Sequence, residues 1–168
     1  MFKQLKSIKN NPRKFLLAIF VIITIFLLDQ YTKNYFSSKL QFQVPTEVSP
    51  NFDLYLTYNY GVAFSFFSDN LTWQKTFLLL LIPSLILFLC FYLLVNLDSY
   101  NNSISLSFIL GGAIGNYFDR IAYGYVVDFI SLHAHDFYWP TFNVADSFIS
   151  IGAIIFLLTN LKKNDNEL

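Results

Sequence analysis

The chain has 168 residues, of which 55% are hydrophobic, 20% aromatic and only 13% charged, and its formal net charge at pH 7 is zero. That balance departs from a soluble globular domain in the direction of a bilayer protein. Without a basic field it excludes a nucleic-acid partner, and its one cysteine, Cys90, excludes an internal disulfide.

Five cations, Lys3, Lys6, Lys9, Arg13 and Lys14, precede an apolar run from Phe15 to Leu28. A cleaved signal peptide requires a small-x-small site after such a run. DQYTKNYF follows instead, with Asp29 and Lys33 four apart on one helix face. Continued to about Phe36, the segment reaches the roughly 20 residues a span requires. An uncleaved first transmembrane helix is therefore expected over about 15–36, its last two turns polar and facing inward. From about Leu40 to Trp73 the chain is mixed polar and aromatic, with Pro45 and Pro50. Within it, Phe52, Leu54, Leu56 and Tyr58 alternate with Asp53, Tyr55, Thr57 and Asn59, which predicts a strand ending near a Tyr60-Gly61 turn.

An uncharged run over Phe77–Val95 predicts a second span, about 75–96, with Pro83 kinking but not breaking it, because a neighbouring helix can satisfy the freed carbonyl. A third span is expected over about 103–119, where Gly111 and Gly115, four apart, permit close approach of another helix. A fourth runs over about 144–161 and is closed by Lys162 and Lys163. Between the last two lies a connection over about 120–143, rich in Tyr, Trp and His, as expected at the headgroup level. Cations cluster before the first span and after the last, and none occupies the turn between spans two and three. Both termini are thus expected in the cytoplasm, with a β-element over about 40–70 and the 120–143 connection together on the outer side.

Ionisable residues at the ends of spans are costly and mark function. Asp29, Lys33, Asp119, Arg120, Asp128 and Asp146 all fall toward the outer face in this topology. Asp128 and Asp146 come from different elements and can meet at one interface. Two close carboxylates share a proton, which suits them to activate water and protonate a leaving amine in peptide hydrolysis. Blander readings stand beside this one. Asp146 three residues after Asn143 fits a helix cap; Asp128 fits a solvated loop carboxylate or a partner of Arg120. Asp119 reads as an ion-pair partner of Arg120, and Asp29 with Lys33 as a helix-face pair. The HAHD stretch, His133 to Asp136, lacks the further ligands of a metal site, and no serine-hydrolase elbow, P-loop or dinucleotide fingerprint occurs. A proton-coupled transporter would show carboxylates near the midplane and an internal repeat, neither of which is found. A membrane scaffold leaves the convergence of polar residues unexplained.

Four blocks, DQYTK (Asp29 to Lys33), NYGVAFSF (Asn59 to Phe66), GGAIGNYFDRIAYGYVVDF (Gly111 to Phe129) and FNVADS (Phe142 to Ser147), resemble the lipoprotein signal peptidase (signal peptidase II) family, in its order and over nearly the whole chain. The resemblance implies an all-α integral membrane protein of the bacterial inner membrane, one peptidase domain over residues 1–168 with four transmembrane helices, a small periplasmic β-element and an active site at the periplasmic face. It implies an aspartyl endopeptidase that works without metal or cofactor. Such an enzyme removes the signal peptide of diacylglyceryl-modified prolipoproteins just before the lipidated cysteine, acting as a monomer within the lipid bilayer. Asp128 and Asp146 match the family's catalytic pair. Asn59, Gly61, Ala63, Asn116, Arg120 and Asn143 match positions that hold substrate or orient the pair, and Asp29, Lys33 and Asp119 match positions that hold the fold.

Overall fold

The computed structural model describes residues 10–61 and 72–165. Among these, helix α1 (Pro12–Lys39) is followed by strands β1 (Thr46–Ser49) and β2 (Phe52–Asn59) and helices α2 (Thr72–Val95) and α3 (Tyr100–Ala122). Strands β3 (Val126–Ala134) and β4 (Phe137–Tyr138) lead to the last helix, α4 (Val144–Asp165). Each of the four segments expected to span is helical over most of its length. Pro12 opens α1 at its first turn, where the missing N–H is of no consequence, and the Ser99 side chain caps α3 by accepting from the Asn102 N–H. Pro83 lies inside α2 without ending it. The carbonyl four residues before it, that of Leu79, receives the Tyr117 hydroxyl of α3 at 3.5 Å.

Helix α3 lies between the others and packs on α1, α2 and α4. That position explains its composition. Its buried face carries Ser103, Ser105 and Ser107, the glycines Gly111, Gly112 and Gly115, and then Asn116 and Asp119, all covered by protein. The spacing of Gly111 and Gly115 does mark a close approach. A Cβ on Gly111 would sit 2.9 Å from the Ile25 Cβ, and one on Gly115 would sit 2.6 Å from Asp29 Oδ2, both on α1. Gly112 faces the backbone of Ala145 in α4, and Gly152 of α4 faces the Ser105 carbonyl in return. Leu93, Leu97, Leu106, Leu110 and Ala18 form an apolar cluster at the end of the bundle away from the sheet. The outer faces of the helices expose Leu16, Phe20, Leu27, Leu80, Leu87, Phe88, Leu157 and Leu161, an arrangement suited to lipid and not to water. By length and composition two helices, Pro12–Lys39 and Val144–Leu161, are able to cross a bilayer, and Leu79–Val95 forms a shorter apolar stretch.

The strand expected over Phe52–Asn59 is present, but the sheet is larger than expected and the chain is mostly helical rather than all-α. Four antiparallel strands run in the order β1-β2-β3-β4. The connection over 120–143 supplies two of them. Strand β3 escapes sequence periodicity because its first four residues, Val126 to Phe129, are buried on both faces, so polar and apolar positions do not alternate. Registers Thr57↔Asp128 and Tyr58↔Val127 set which side chains share a face. Thr57, Asn59 and Asp128 point to one side, and Tyr58 and Val127 to the other. The sheet's Phe129 stacks on Phe36 of α1 at 4.5 Å, which ties the strands to the C-terminal end of that helix.

Candidate active site

The buried stripe of α1 is Ala18, Ile25, Asp29 and Lys33, so the same helix face turns from apolar to charged over its last turns. Lys33 Nζ lies 2.7 Å from Asp29 Oδ2 and 3.0 Å from Asp119 Oδ2 of α3, with all three residues at most 3% exposed. Burying three charges costs several kcal/mol per ion unless each is paired and hydrogen-bonded, and here each is. Asp29 Oδ1 accepts the Ala145 N–H at 2.9 Å, and Asp119 accepts the Gln30 side chain at 2.8 Å and the Val127 N–H at 3.2 Å. Ala145 and Val127 immediately precede Asp146 and Asp128. The triad therefore fixes the backbone at the two points from which the candidate carboxylates project.

Asp128 is 1% exposed on β3, and Asp146 occupies the first turn of α4. Asn143, fully buried, joins them. Its Nδ2 donates to Asp128 Oδ1 at 2.7 Å, its Oδ1 accepts from the Asp146 N–H at 2.9 Å, and its own N–H donates to Asp146 Oδ2 at 3.2 Å. The last two bonds are a reciprocal helix cap, so the capping reading of Asn143 and Asp146 holds alongside the paired-carboxylate reading. Asn59 Nδ2 reaches Asp128 Oδ2 at 3.1 Å, and Asn116 Nδ2 reaches Asp146 Oδ1 at 2.7 Å. Each of the four carboxylate oxygens thus accepts one hydrogen bond. Burial pushes the Asp128 carboxyl up to about 7, the charge of Asp146 adds to the rise, and the bonds from Asn59 and Asn143 oppose it.

Arg120 closes a ring around the pair. Its Nη1 donates to the Asn116 carbonyl at 3.1 Å and its Nη2 to the Gly61 carbonyl at 2.6 Å, while the Gly61 N–H donates to Asn59 Oδ1 at 3.0 Å. Its buried Nε has no acceptor among the described residues.

Among the described residues, those singled out from sequence converge, with two corrections. Asp119 pairs with Lys33 and not with Arg120, because its helix position turns it toward α1. Asp128 is neither a solvated loop carboxylate nor a hydrogen-bond partner of Arg120; it is a buried strand residue held by two asparagines. Ala63 lies outside the described residues. The pairing expected for Asp29 and Lys33 is present. His133 faces Asp53 at 3.2 Å on the sheet, and no group of His, Cys, Asp and Glu among the described residues suits a metal. Sequence reading missed Gln30. Its position beside Asp29 in the polar turns of α1 was the available signal, yet only the packing of α1 on α3 gives it Asp119 as an acceptor.

A family model described as signal peptidase (SPase) II matches residues 21–162. The chain is 40% identical over 142 residues to a lipoprotein signal peptidase of Teredinibacter turnerae, covering 84% of each protein. It is 38% identical over 156 residues to one of Neisseria gonorrhoeae, covering 92% of this chain and 93% of the relative. Among solved structures, a bacterial membrane enzyme determined by the in meso method at 2.3 Å resolution superposes with a TM-score of 0.78 at 27% identity, covering 90% of this chain and 92% of the other. A second, at 1.9 Å resolution, gives 0.76 at 28% identity, covering 87% and 93%.

Proposed function

Since this chain belongs to the signal peptidase II family, we propose that it cuts diacylglyceryl-modified prolipoproteins just before the lipidated cysteine, with Asp128 and Asp146 as the catalytic pair. The observation that carries this reading is the pair itself: two carboxyls from β3 and α4, joined through Asn143, with Asp128 held near neutral. Asp128 keeps the proton at rest and Asp146 is the base. As Asp146 takes a proton from water, the hydroxyl adds to the scissile carbonyl carbon and Asp128 protonates the carbonyl oxygen. Collapse of the tetrahedral intermediate breaks the C–N bond, and the nitrogen leaves with the proton from Asp146 while the oxygen returns its proton to Asp128. The products are a signal peptide carboxylic acid and a free amine on the cysteine, which then exchange a proton to become carboxylate and ammonium. Asn59, Asn143, Asn116 and the Gly61 turn orient the pair, and Arg120 braces them through the Asn116 and Gly61 carbonyls. Asp29, Lys33 and Asp119 hold the bundle beneath it.

The setting is a multi-pass protein of the bacterial inner membrane, one domain with spans over about 15–36, 75–96, 103–119 and 144–161, both termini cytoplasmic and the pair at the periplasmic face. Contacts at the other end of the bundle support the common side of the termini. Asn11 donates to Asp98 Oδ1 and Lys14 to the Asp98 carbonyl, which brings the start of α1 to the α2–α3 turn. Asn160 near the end of α4 reaches Asn102 at the start of α3. Because one chain completes the pair, a monomer suffices.

Incubation of the purified protein in detergent with a diacylglyceryl-modified prolipoprotein tests the activity. Mass spectrometry is expected to find cleavage immediately before the modified cysteine, and the unlipidated precursor is expected to turn over at least about tenfold more slowly, because remote binding energy is lost. Equal turnover of both forms would remove lipid recognition from the proposal; no cleavage of either would remove the activity.

The pH profile follows from Asp128. A carboxyl raised to about 7 stays protonated below that pH and ionises above it. The acid is therefore lost on the alkaline side, and kcat/KM is expected to fall toward tenfold per pH unit above about 7. A flat profile from pH 6 to 9 would contradict the assignment of the proton to Asp128.

A further inference from the structure

Among the described residues, every donor to the carboxylate pair except the Asn143 N–H is a side-chain amide, and an amide works only in one of its two orientations. Asn116 Oδ1 accepts from Lys33 Nζ at 2.9 Å and from Asn143 Nδ2 at 3.1 Å, while its Nδ2 faces Asp146. A rotated Asn116 would set its NH2 against the ammonium and against the Asn143 NH2, and its oxygen against a carboxylate. The carboxyls cannot enforce the orientation throughout a reaction, because each becomes a donor when protonated. An ammonium has hydrogens only and never accepts. It gives the network a fixed end.

We propose that Lys33 is a positioning residue for the catalytic pair: by holding Asn116 Oδ1 it fixes the orientation of Asn116 and, through it, of Asn143, so that both amides present NH2 to Asp146 and Asp128. This goes beyond the fold-holding role of Lys33 and rests on the proposed pair. The ammonium divides its three hydrogens among Asp29, Asp119 and Asn116, two bonds to structure and one to the site. A cavity of about 170 Å³ reaches the same group from behind, lined by Gln30, Lys33, Asn34, Tyr58, Asp119 and Tyr125 among others. Because Tyr58 and Val127 line it, it lies on the face of the sheet opposite Asn59 and Asp128.

The test is a double-mutant cycle with Lys33→Met and Asn116→Ala in the full-length enzyme, reading kcat and KM separately on the lipidated precursor. Each single change is expected to lower kcat about 100-fold or more, with KM changed less than about threefold. The double variant is expected to be no slower than the poorer single one, because Lys33 acts through Asn116. Lys33→Gln supplies the same comparison should Lys33→Met not fold, since it keeps a polar side chain one atom shorter but not the fixed donor. In Lys33→Ala, ethylammonium entering through the cavity is expected to restore part of kcat, and tetramethylammonium, which carries the charge without an N–H, is not. Losses that multiply in the double variant, an effect confined to KM, or equal rescue by both cations would overturn the inference. If Asp128→Asn or Asp146→Asn cleaves normally, the pair itself falls; if both are inactive and the cycle is additive, only the role of Lys33 does.

Discussion

Asp128→Asn and Asp146→Asn are each expected to give a folded protein that no longer cleaves lipidated prolipoprotein, with kcat reduced by about 10⁴-fold or more. The size follows from the division of labour. Each carboxyl both takes and gives a proton during the cycle, and removing a positioned acid or base costs about 10²–10⁴-fold. When the two act as a unit, losing one disables the other, so the effects do not add. Folding survives because asparagine preserves the shape and part of the bonding. At position 146 it still offers an oxygen to the Asn143 N–H that completes the helix cap, and at 128 an oxygen to either Asn143 or Asn59. Cleavage followed by mass spectrometry, with thermal unfolding in detergent as the control for structure, separates the two effects. Undiminished cleavage by either variant would remove the pair as the catalytic centre.

The second large effect is expected at a position that contributes no side chain, at Gly112→Val. A Cβ there would fall well inside contact distance of the Ala145 carbonyl and 2.8 Å from Ile149 Cγ1. The carbonyl belongs to helix backbone and cannot swing aside as a side chain would, so α3 and α4 must separate. Overpacking of this kind costs about 1–3 kcal/mol and sometimes more. Activity is expected to suffer beyond the stability loss, because α4 carries Asp146, Ala145 is bonded to Asp29, and a displacement near 1 Å costs about 100-fold in a positioned site. The readouts are the melting temperature in detergent and kcat at a temperature where the variant is fully folded. A variant that melts with the parent and cleaves at the parental rate would show that the two helices need not touch at this point.

How these residues come together divides between what is written along the chain and what is not. The helices were legible because a span must be apolar for about 20 residues and must satisfy its own backbone, requirements any window of sequence displays. The strand at Phe52–Asn59 was legible from alternation, and the close approach at Gly111 and Gly115 from their spacing on one helix face. Asp29 and Lys33 declared their pairing because four residues make one turn. These are local signals. Strand β3 gave none, since a strand covered on both sides loses the period of two. Without β3 the environment of Asp128 was hidden, and a buried carboxyl held by two asparagines passed equally well for a solvated loop residue. The partner of Asp119 was likewise undetermined: neighbouring Arg120 was adjacent in sequence, yet Lys33 is adjacent in space.

Composition and periodicity by themselves determined that this chain is membrane-like, which segments are helices and strand, and that its ionisable groups gather toward one end. Only tertiary structure decided which of them touch. Contacts such as Lys33 to Asn116, Asn59 to Asp128 and Ala145 to Asp29 span 83, 69 and 116 positions. No periodicity encodes such separations, because they are fixed by how whole helices and strands pack and not by any neighbour along the chain.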